Sequence, residues 1–293
     1  MKETLESLGH KIEMAKELKS VVRTMKALSV SSITQYERAV QSLEAYSHTV
    51  QLGFFVCSAK AGALKMTGAN KERRTGAIVF GAGQGLVGQF NDVLCRFVAA
   101  DLEKVPGEKT VWAIGSSLLG QLEDLGLSPA RQFEVPNTVE AIIPLVSKVL
   151  FEIEQALEVG EVAAIYLYHN RPQPGSTYSP NKLRFFPIDE SWLQELTTKE
   201  WPSNKLPEAI NGNELTLQAL IREYLFVSLF RACAESLASE NASRLAAMQR
   251  AEKNIKDLLT ELNLNYHQLR QSSIDEEMFD VIFGSEAMKK PTH

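Results

Sequence analysis

The residues best placed for chemistry are Gly83-Gln84-Gly85-Leu86-Val87-Gly88. They fit G-x-G-x-x-G and lie between an apolar run, Ala77-Ile78-Val79-Phe80, and a helical pattern. The backbone N–H groups of such a turn can hold the pyrophosphate of a dinucleotide. The same chemistry asks for an acid at the end of the second strand to hold the ribose, yet that strand ends Ile114-Gly115-Ser116. Glu108 precedes the strand, out of reach. Two readings stand: a cradle without its ribose acid, and a glycine-rich turn into a helix with no ligand. No G-x-x-x-x-G-K-[ST] and no G-x-S-x-G occurs. The histidines, at 10, 48, 169, 267 and 293, are far apart. His169 ends a predicted strand and alone sits in a site-like place, where a structural role is the plainer reading. Cys57, Cys95 and Cys233 are scattered, which points to a reducing compartment and no metal site. No catalytic residue, cofactor or metal is expected.

The elements around the turn alternate. Strands are expected at 77–80, 110–114, 132–135 and 162–169, with an edge strand or hairpin arm at 182–188. Helices are expected at 86–104, 116–125 and 138–158. Segments 57–75 and 171–181 read as loops, the second for Pro172, Pro174, Gly175 and Pro180. Residues 191–212, with Trp192, Trp201, Pro202 and Pro207, read as a lead-in to a further helix. Alternating strand and helix argues an open, mainly parallel sheet with helices on both faces, an α/β domain.

On either side of it the helix breakers vanish. No proline occurs in 1–105 or 208–290, and no glycine from 213 to 283. Leu5, Leu8, Ile12, Ala15, Leu18, Val22, Met25, Ser29, Ile33, Tyr36, Val40, Leu43, Ser47 and Val50 recur at steps of three and four, the seam of a coiled coil. A second seam runs from Leu217 through Tyr224, Arg231, Ala234, Leu237, Asn241, Arg244, Met248, Ile255, Leu258 and Leu262 to Leu269. Asn213 is its expected N-cap. At 1.5 Å per residue the two helices reach about 80 and 100 Å, too long for one small core. They most simply pair antiparallel. The expected divisions are an N-terminal helix over 1–57, a Rossmann-like domain over 58–212 and a C-terminal helix over 213–287.

The second seam is thin where Ala238-Ser239-Glu240-Asn241-Ala242-Ser243 places small and polar groups. One reading is an alanine-type coiled coil; the other is close approach of an outside surface. Arg231, Asn241 and Arg244 likewise either slip to solvent or meet a protein that supplies acids. The polar tail Arg270–Glu277 would need a sleeve made by something else. Net charge is 31 − 36 = −5, the wrong sign for nucleic acid as principal partner. No run of about eighteen apolar residues is long enough to span a membrane. The N-terminus, Met1-Lys2-Glu3-Thr4-Leu5-Glu6, suits neither a signal nor a transit peptide. A soluble, cytoplasmic chain is expected.

Residues 236–248, Ser-Leu-Ala-Ser-Glu-Asn-Ala-Ser-Arg-Leu-Ala-Ala-Met, with Asn254, Tyr266-His-Gln-Leu-Arg-Gln271 and Ile274, closely resemble the C-terminal signature of the gamma subunit of rotary F-type ATP synthases. Val22-Arg-Thr-Met-Lys26 is similar to that family's Ile-Thr-Lys-Ala-Met-Lys, and Gly85-Leu-Val-Gly-Gln-Phe-Asn91 to its Gly-Leu-Cys-Gly-x-x-Asn turn. The resemblance covers essentially the whole chain. It implies a rotor shaft made of the two terminal helices as an antiparallel coiled coil. The longer C-terminal end would enter a hexamer of alpha and beta subunits. The Rossmann-like middle would be a foot that, with the epsilon subunit, rests on the membrane ring of c subunits.

By the family's pattern, Met25, Lys26, Glu240, Arg244, Arg270 and Gln271 would face the alpha/beta hexamer, Glu240 and Arg244 being tied to coupling. Lys205, Glu208 and Ile210 would lie near the ring. The resemblance implies a non-catalytic subunit that couples ion translocation to ATP synthesis or hydrolysis, peripheral on the cytoplasmic face of the inner membrane. Thr24, Ser32, Val87, His267 and Asp275 depart from the family's usual residues. With Leu5-Glu-Ser-Leu8 and Ser20–Leu28 they resemble the alternative, N-type branch, which is associated with ion-exporting hydrolysis, often of sodium. On the residues alone, a nucleotide-binding Rossmann enzyme and a coiled-coil adaptor remain the competing functions.

Overall fold

The computed structural model describes residues 4–61, 74–173, 176–189, 201, 205, 207–210 and 212–288. The chain divides into two compact units, Ser29–Arg244 and Met1–Leu28 with Leu245–His293. Two helices are far longer than the rest: α1 over Leu5–Ala61 and α5 over Asn213–Met288. Between them come β1 (Arg74–Phe80), α2 (Phe90–Leu102), β2 (Lys109–Ile114), α3 (Leu119–Asp124), β3 (Pro129–Phe133), α4 (Ile142–Glu158), β4 (Val162–Gln173) and β5 (Ser176–Phe186).

In the unit Ser29–Arg244 the strands form one mixed sheet in the order β3-β2-β1-β4-β5. β1 to β4 run parallel and β5 is antiparallel to β4. Both faces are covered, which is why β1 and β2 read as continuous apolar runs rather than alternating ones. Ala77, Val79, Val111 and Ala113 face α2 and α3, with Leu94, Val98, Leu118 and Leu122. Ile78, Phe80, Trp112, Ile114, Ile165 and Leu167 face the other way, into a core built by α4 and by Leu225–Ala238 of α5. Tyr36 of α1 joins that core.

Several boundaries differ from those expected. α2 begins at Phe90 rather than 86, so the last glycine of the G-x-G-x-x-G run lies outside the helix. Residues 171–173 and 176–181 are strand, not loop. β4 pairs with β1 only as far as His169 and beyond it with β5 alone, through Asn170↔Pro180 to Gln173↔Ser176. Each strand there has a free side, where a missing N–H costs no ladder bond, so Pro172 and Pro180 are tolerated. β3 is an edge strand that opens on Pro129, three residues early for the same reason. α1 runs on to Ala61, so the expected loop at 57–75 begins later; 62–73 and most of 191–212 lie outside the described residues. Gly212, at φ +83°, precedes α5 and its carbonyl accepts from the Thr216 N–H, so Asn213 is the first helical residue rather than the cap.

The other unit pairs the start of α1 with the later part of α5, running in opposite directions. Leu8, Ile12 and Ala15 pack with Leu262, Tyr266 and Leu269; Val22 and Met25 pack with Met248, Ala251 and Ile255. Lys26 Nζ lies 2.6 Å from Glu252 Oε2. Leu18 and Leu258, expected in the seam, are exposed. The register slips by one residue, putting Lys19 between Ala15 and Val22, and Leu259 between Ile255 and Leu262. Past Leu269 the apolar residues Ile274, Met278, Phe279, Val281, Ile282 and Phe283 are all exposed.

Ala234 has no exposed surface in the core beneath the sheet. Ala234→Leu should cost about 1–3 kcal/mol by overpacking, read as a lower urea midpoint of the full chain. An unchanged midpoint would show that α5 does not pack there.

Candidate functional site

An open α/β sheet takes its ligand outside the carboxyl ends of the strands, at the point where the strand order reverses. Here that point is the β1/β4 boundary, since β2 and β3 follow β1 on one side and β4 lies on the other. The glycine run leaves β1 at this place. α5 lies across it.

Each turn of the helix makes a contact. The Glu235 carboxylate is 2.9 Å from His169 Nε2 on β4. One residue on, the Ser236 hydroxyl donates to the Phe80 carbonyl at the end of β1, 3.1 Å away. A turn further, the Glu240 carboxylate meets the polar backbone N–H groups of Gly83 and Gln84, which pull its carboxyl downward. Ser243 Oγ then donates to the Val87 carbonyl. Ser236, Glu240 and Ser243 stand at i, i+4 and i+7, one face of the helix. Ser239, at i+3, is wholly buried.

The loop is shaped to receive this face. A Cβ on Gly83 would meet Val135 at 2.9 Å, so only glycine lets the loop lie this close to its neighbour. Gly115, at φ +113°, would put a Cβ 2.7 Å from the Ala82 carbonyl. Asn91 Oδ1 accepts from the Ala82 N–H at 2.8 Å, and Asn170 Nδ2 donates to the Phe90 carbonyl at 3.0 Å. Leu86 carries φ +62°, a left-handed conformation unusual for leucine, and its side chain is exposed. The loop's backbone donors thus hold a carboxylate where a dinucleotide fold would hold a phosphate, and the carboxylate belongs to the chain itself.

The electrostatics follow from burial. Glu240 is only 4% exposed. Burial pushes its carboxyl above the ordinary 4.5, against the pull of Arg244 and of the Gly83 and Gln84 amides. Arg244 bonds to Glu240 through one Nη and to Asn241 Oδ1 through the other. Burial would also raise Glu235, but hydrogen bonds from His169 and Arg231 and the nearby charge of Arg171 bring it below its ordinary value. Of the two readings of Arg231 and Arg244, solvent or a partner's acids, neither describes their ion pairs: each pairs with an acid on α5 itself, four residues away.

The other expected site residues lie elsewhere. His169 is buried and sits where β1 ends, not at the end of β4. Met25 and Lys26 are half-buried; Arg270 and Gln271 are exposed on α5. Lys205, Glu208 and Ile210 are exposed in the stretch before α5. Sequence reasoning missed Ser236 and Ser243 as contacts; the signal was a run of small and polar residues, with no indication of what approached. Among the described residues no group of three or more His, Cys, Asp or Glu is placed to hold a metal ion, and no helix is long and apolar enough to cross a membrane.

The arrangement is that of an α/β domain whose ligand crevice is closed by a helix that continues out of it. Residues 4–288 match the family model described as ATP synthase. The ATP synthase gamma chain of Lachnoclostridium phytofermentans is 30% identical over 232 residues, covering 75% of this chain and 76% of that one. The gamma chain of Polynucleobacter necessarius subsp. necessarius is 25% identical over 285 residues, 95% of this chain and 97% of its own. The fold is also similar to a chain of the rotor of Euglena gracilis mitochondrial ATP synthase, with a TM-score of 0.62 at 16% identity, covering 92% of this chain and 98% of that one. The chain belongs to the ATP synthase gamma-chain family.

Glu240→Ala takes a carboxylate away from the Gly83 and Gln84 amides and from Arg244 and should cost about 1–3 kcal/mol in urea unfolding. Because the folded state favours the protonated Glu240, its contribution falls as pH rises above 4.5 and through the raised value. Glu240→Gln should therefore gain on the wild type from pH 4.5 upward. A stability difference constant across that range would contradict the buried, raised carboxyl.

Proposed function

We propose that this chain is the central-stalk rotor subunit of a rotary F-type ATPase, with no catalytic residue of its own. The observation that carries the reading is the closed crevice. The one place where this sheet would take a nucleotide is filled by its own helix, and the same helix runs on for some forty-five residues beyond Ser243, about 65 Å at 1.5 Å per residue. A crevice filled in this way leaves no room there for a nucleotide. It speaks against a Rossmann enzyme, and family membership speaks against an unrelated coiled-coil adaptor.

In this reading the unit built around the sheet is a Rossmann-like foot, and the paired ends of α1 and α5 form an antiparallel coiled-coil shaft. The domains fall near 1–57, 58–212 and 213–287. The exposed apolar residues from Ile274 to Phe283 turn in a sleeve formed by alpha and beta subunits. Met25, Lys26, Arg270 and Gln271 face that hexamer. Lys205, Glu208 and Ile210, the last almost fully exposed, face the c ring beside an epsilon subunit. Glu240 and Arg244 serve coupling by seating the helix on the loop.

An asymmetric shaft favours a different conformation in each beta subunit, so rotation driven by ion flux redistributes nucleotide affinity among the catalytic sites, and hydrolysis runs the cycle backwards. The chemistry belongs to beta, on the peripheral side of the membrane. The residues at Thr24, Ser32, Val87, His267 and Asp275 favour the N-type, ion-exporting branch.

Purified from its native membrane, the chain should bring alpha and beta subunits with it, and alone it should bind neither NAD nor ATP stoichiometrically. Saturable nucleotide binding that shifts the Gly83 and Gln84 resonances would overturn the reading. In the assembled complex, Arg244→Ala should leave the chain folded and lower the ions moved per ATP; an unchanged ratio would remove Arg244 from coupling.

A further inference from the structure

Beside the filled crevice lies an open pocket that shares His169 and Glu235 with the helix seat. It is a cavity of about 230 Å³ between α1, the β4–β5 hairpin and α5. His169 and Arg171 of β4 and Arg231 and Glu235 of α5 line it, with Gln51, Asn181 and Ser228. Glu235 is the sole acid among its lining residues. Arg231 Nε is 2.9 Å from Glu235 Oε1, and Arg171 Nε is 3.5 Å from Glu235 Oε2. His169 Nε2 also bonds to Oε2. One buried carboxylate thus orients three donors from two elements.

The arginines are satisfied only on one side. Both guanidinium groups are half-exposed. Glu235 is their only ion-pair partner among the described residues, and it engages them through Nε. Among the described residues the Nη nitrogens have no hydrogen-bond partner. His169 Nδ1 is buried without a hydrogen-bond partner among the described residues. Two guanidinium groups against one carboxylate leave a net positive pocket, and Gln51, Asn181 and Ser228 add neutral donors. Paired forks held in fixed orientation match the geometry of carboxylate and phosphate oxygens.

We propose that this pocket is an oxyanion site. It takes either the carboxylate of an acidic side chain from a partner subunit or a free phosphate, on the Nη groups of Arg171 and Arg231. Glu235 is a positioning residue: it aims the two arginines and competes with the incoming anion for them.

Inorganic phosphate titrated into the full chain tests the site through the His169 ring and arginine Nε resonances. The expected result is a saturable shift of both. Arg171→Ala and Arg231→Ala should each weaken the response about tenfold or more, the loss of a charge-assisted pair. Arg231→Lys keeps the charge and loses the fork; it should also weaken binding, and its unfolding midpoint shows whether the fold survives. Glu235→Gln should change the response in the opposite direction, because the competing charge is gone. A merely structural cluster would show no phosphate response and no such inversion, and either result overturns the site.

The source of the anion is read in the assembled complex. If a partner carboxylate fills the pocket, phosphate no longer shifts His169 there, and Arg171→Ala releases that partner in a salt wash. If free phosphate is the ligand, the shift persists after assembly. This second measurement rests on the rotor reading, and the first does not. Failure to assemble therefore counts against that reading alone, and absence of phosphate binding together with unchanged partner retention counts against the site alone.

Discussion

Everything in the larger unit depends on a charge being held out of water. A buried carboxylate is tolerated only where donors replace the solvent it lost. For Glu240 those donors are the Gly83 and Gln84 amides and the Arg244 guanidinium. The amides can converge because the loop between β1 and α2 is drawn tight against Val135 at a glycine. The guanidinium can reach because it stands one helical turn away. Remove Glu240 and the two amides lose the carboxylate they face, while Arg244 keeps only Asn241 Oδ1. The site therefore fixes the position of α5 over the strand ends as well as its rotation, since only one helix face carries Ser236, Glu240 and Ser243.

This constraint links the fold to the proposed function. A helix that only packed against the sheet through alanine would slide or turn at little cost, whereas one tied at three carbonyl or amide points cannot do so without breaking bonds. In the rotor reading, torque would pass through a helix seated in this way. The neighbouring Glu235 cluster extends it to β4, and there the side chains keep donors in reserve. One end of the seat is thus closed upon itself and the other is open to a further anion.

The sequence carried the architecture well. Breaker-free arms flanking an alternating middle predicted two long helices around an α/β sheet, and apolar runs located β1, β2 and β4 within a few residues. The hairpin at 171–181 was illegible because its prolines look like loop residues until one knows that β4 has no second neighbour there. Leu18 was placed in the seam because a heptad read on hydrophobicity prefers leucine to the adjacent Lys19, whereas Leu258 and Leu259 are both leucine and the pattern alone does not choose between them. The glycine run was the most instructive case. Its motif left two readings open, a dinucleotide cradle without its ribose acid and a glycine-rich turn with no ligand, and the structure sets a carboxylate of the chain itself against it. That the anion is Glu240, some 155 residues away in the chain, is tertiary information that no local pattern contains.

The seat can be watched directly through the amide hydrogens of Gly83 and Gln84. If the Glu240 carboxylate accepts from both, these amides exchange slowly in the wild type. In Glu240→Ala they exchange fast while the amides of β1 and β4 stay protected. Equal exchange in the two proteins would contradict a self-occupied crevice and, with it, the observation on which the rotor reading rests.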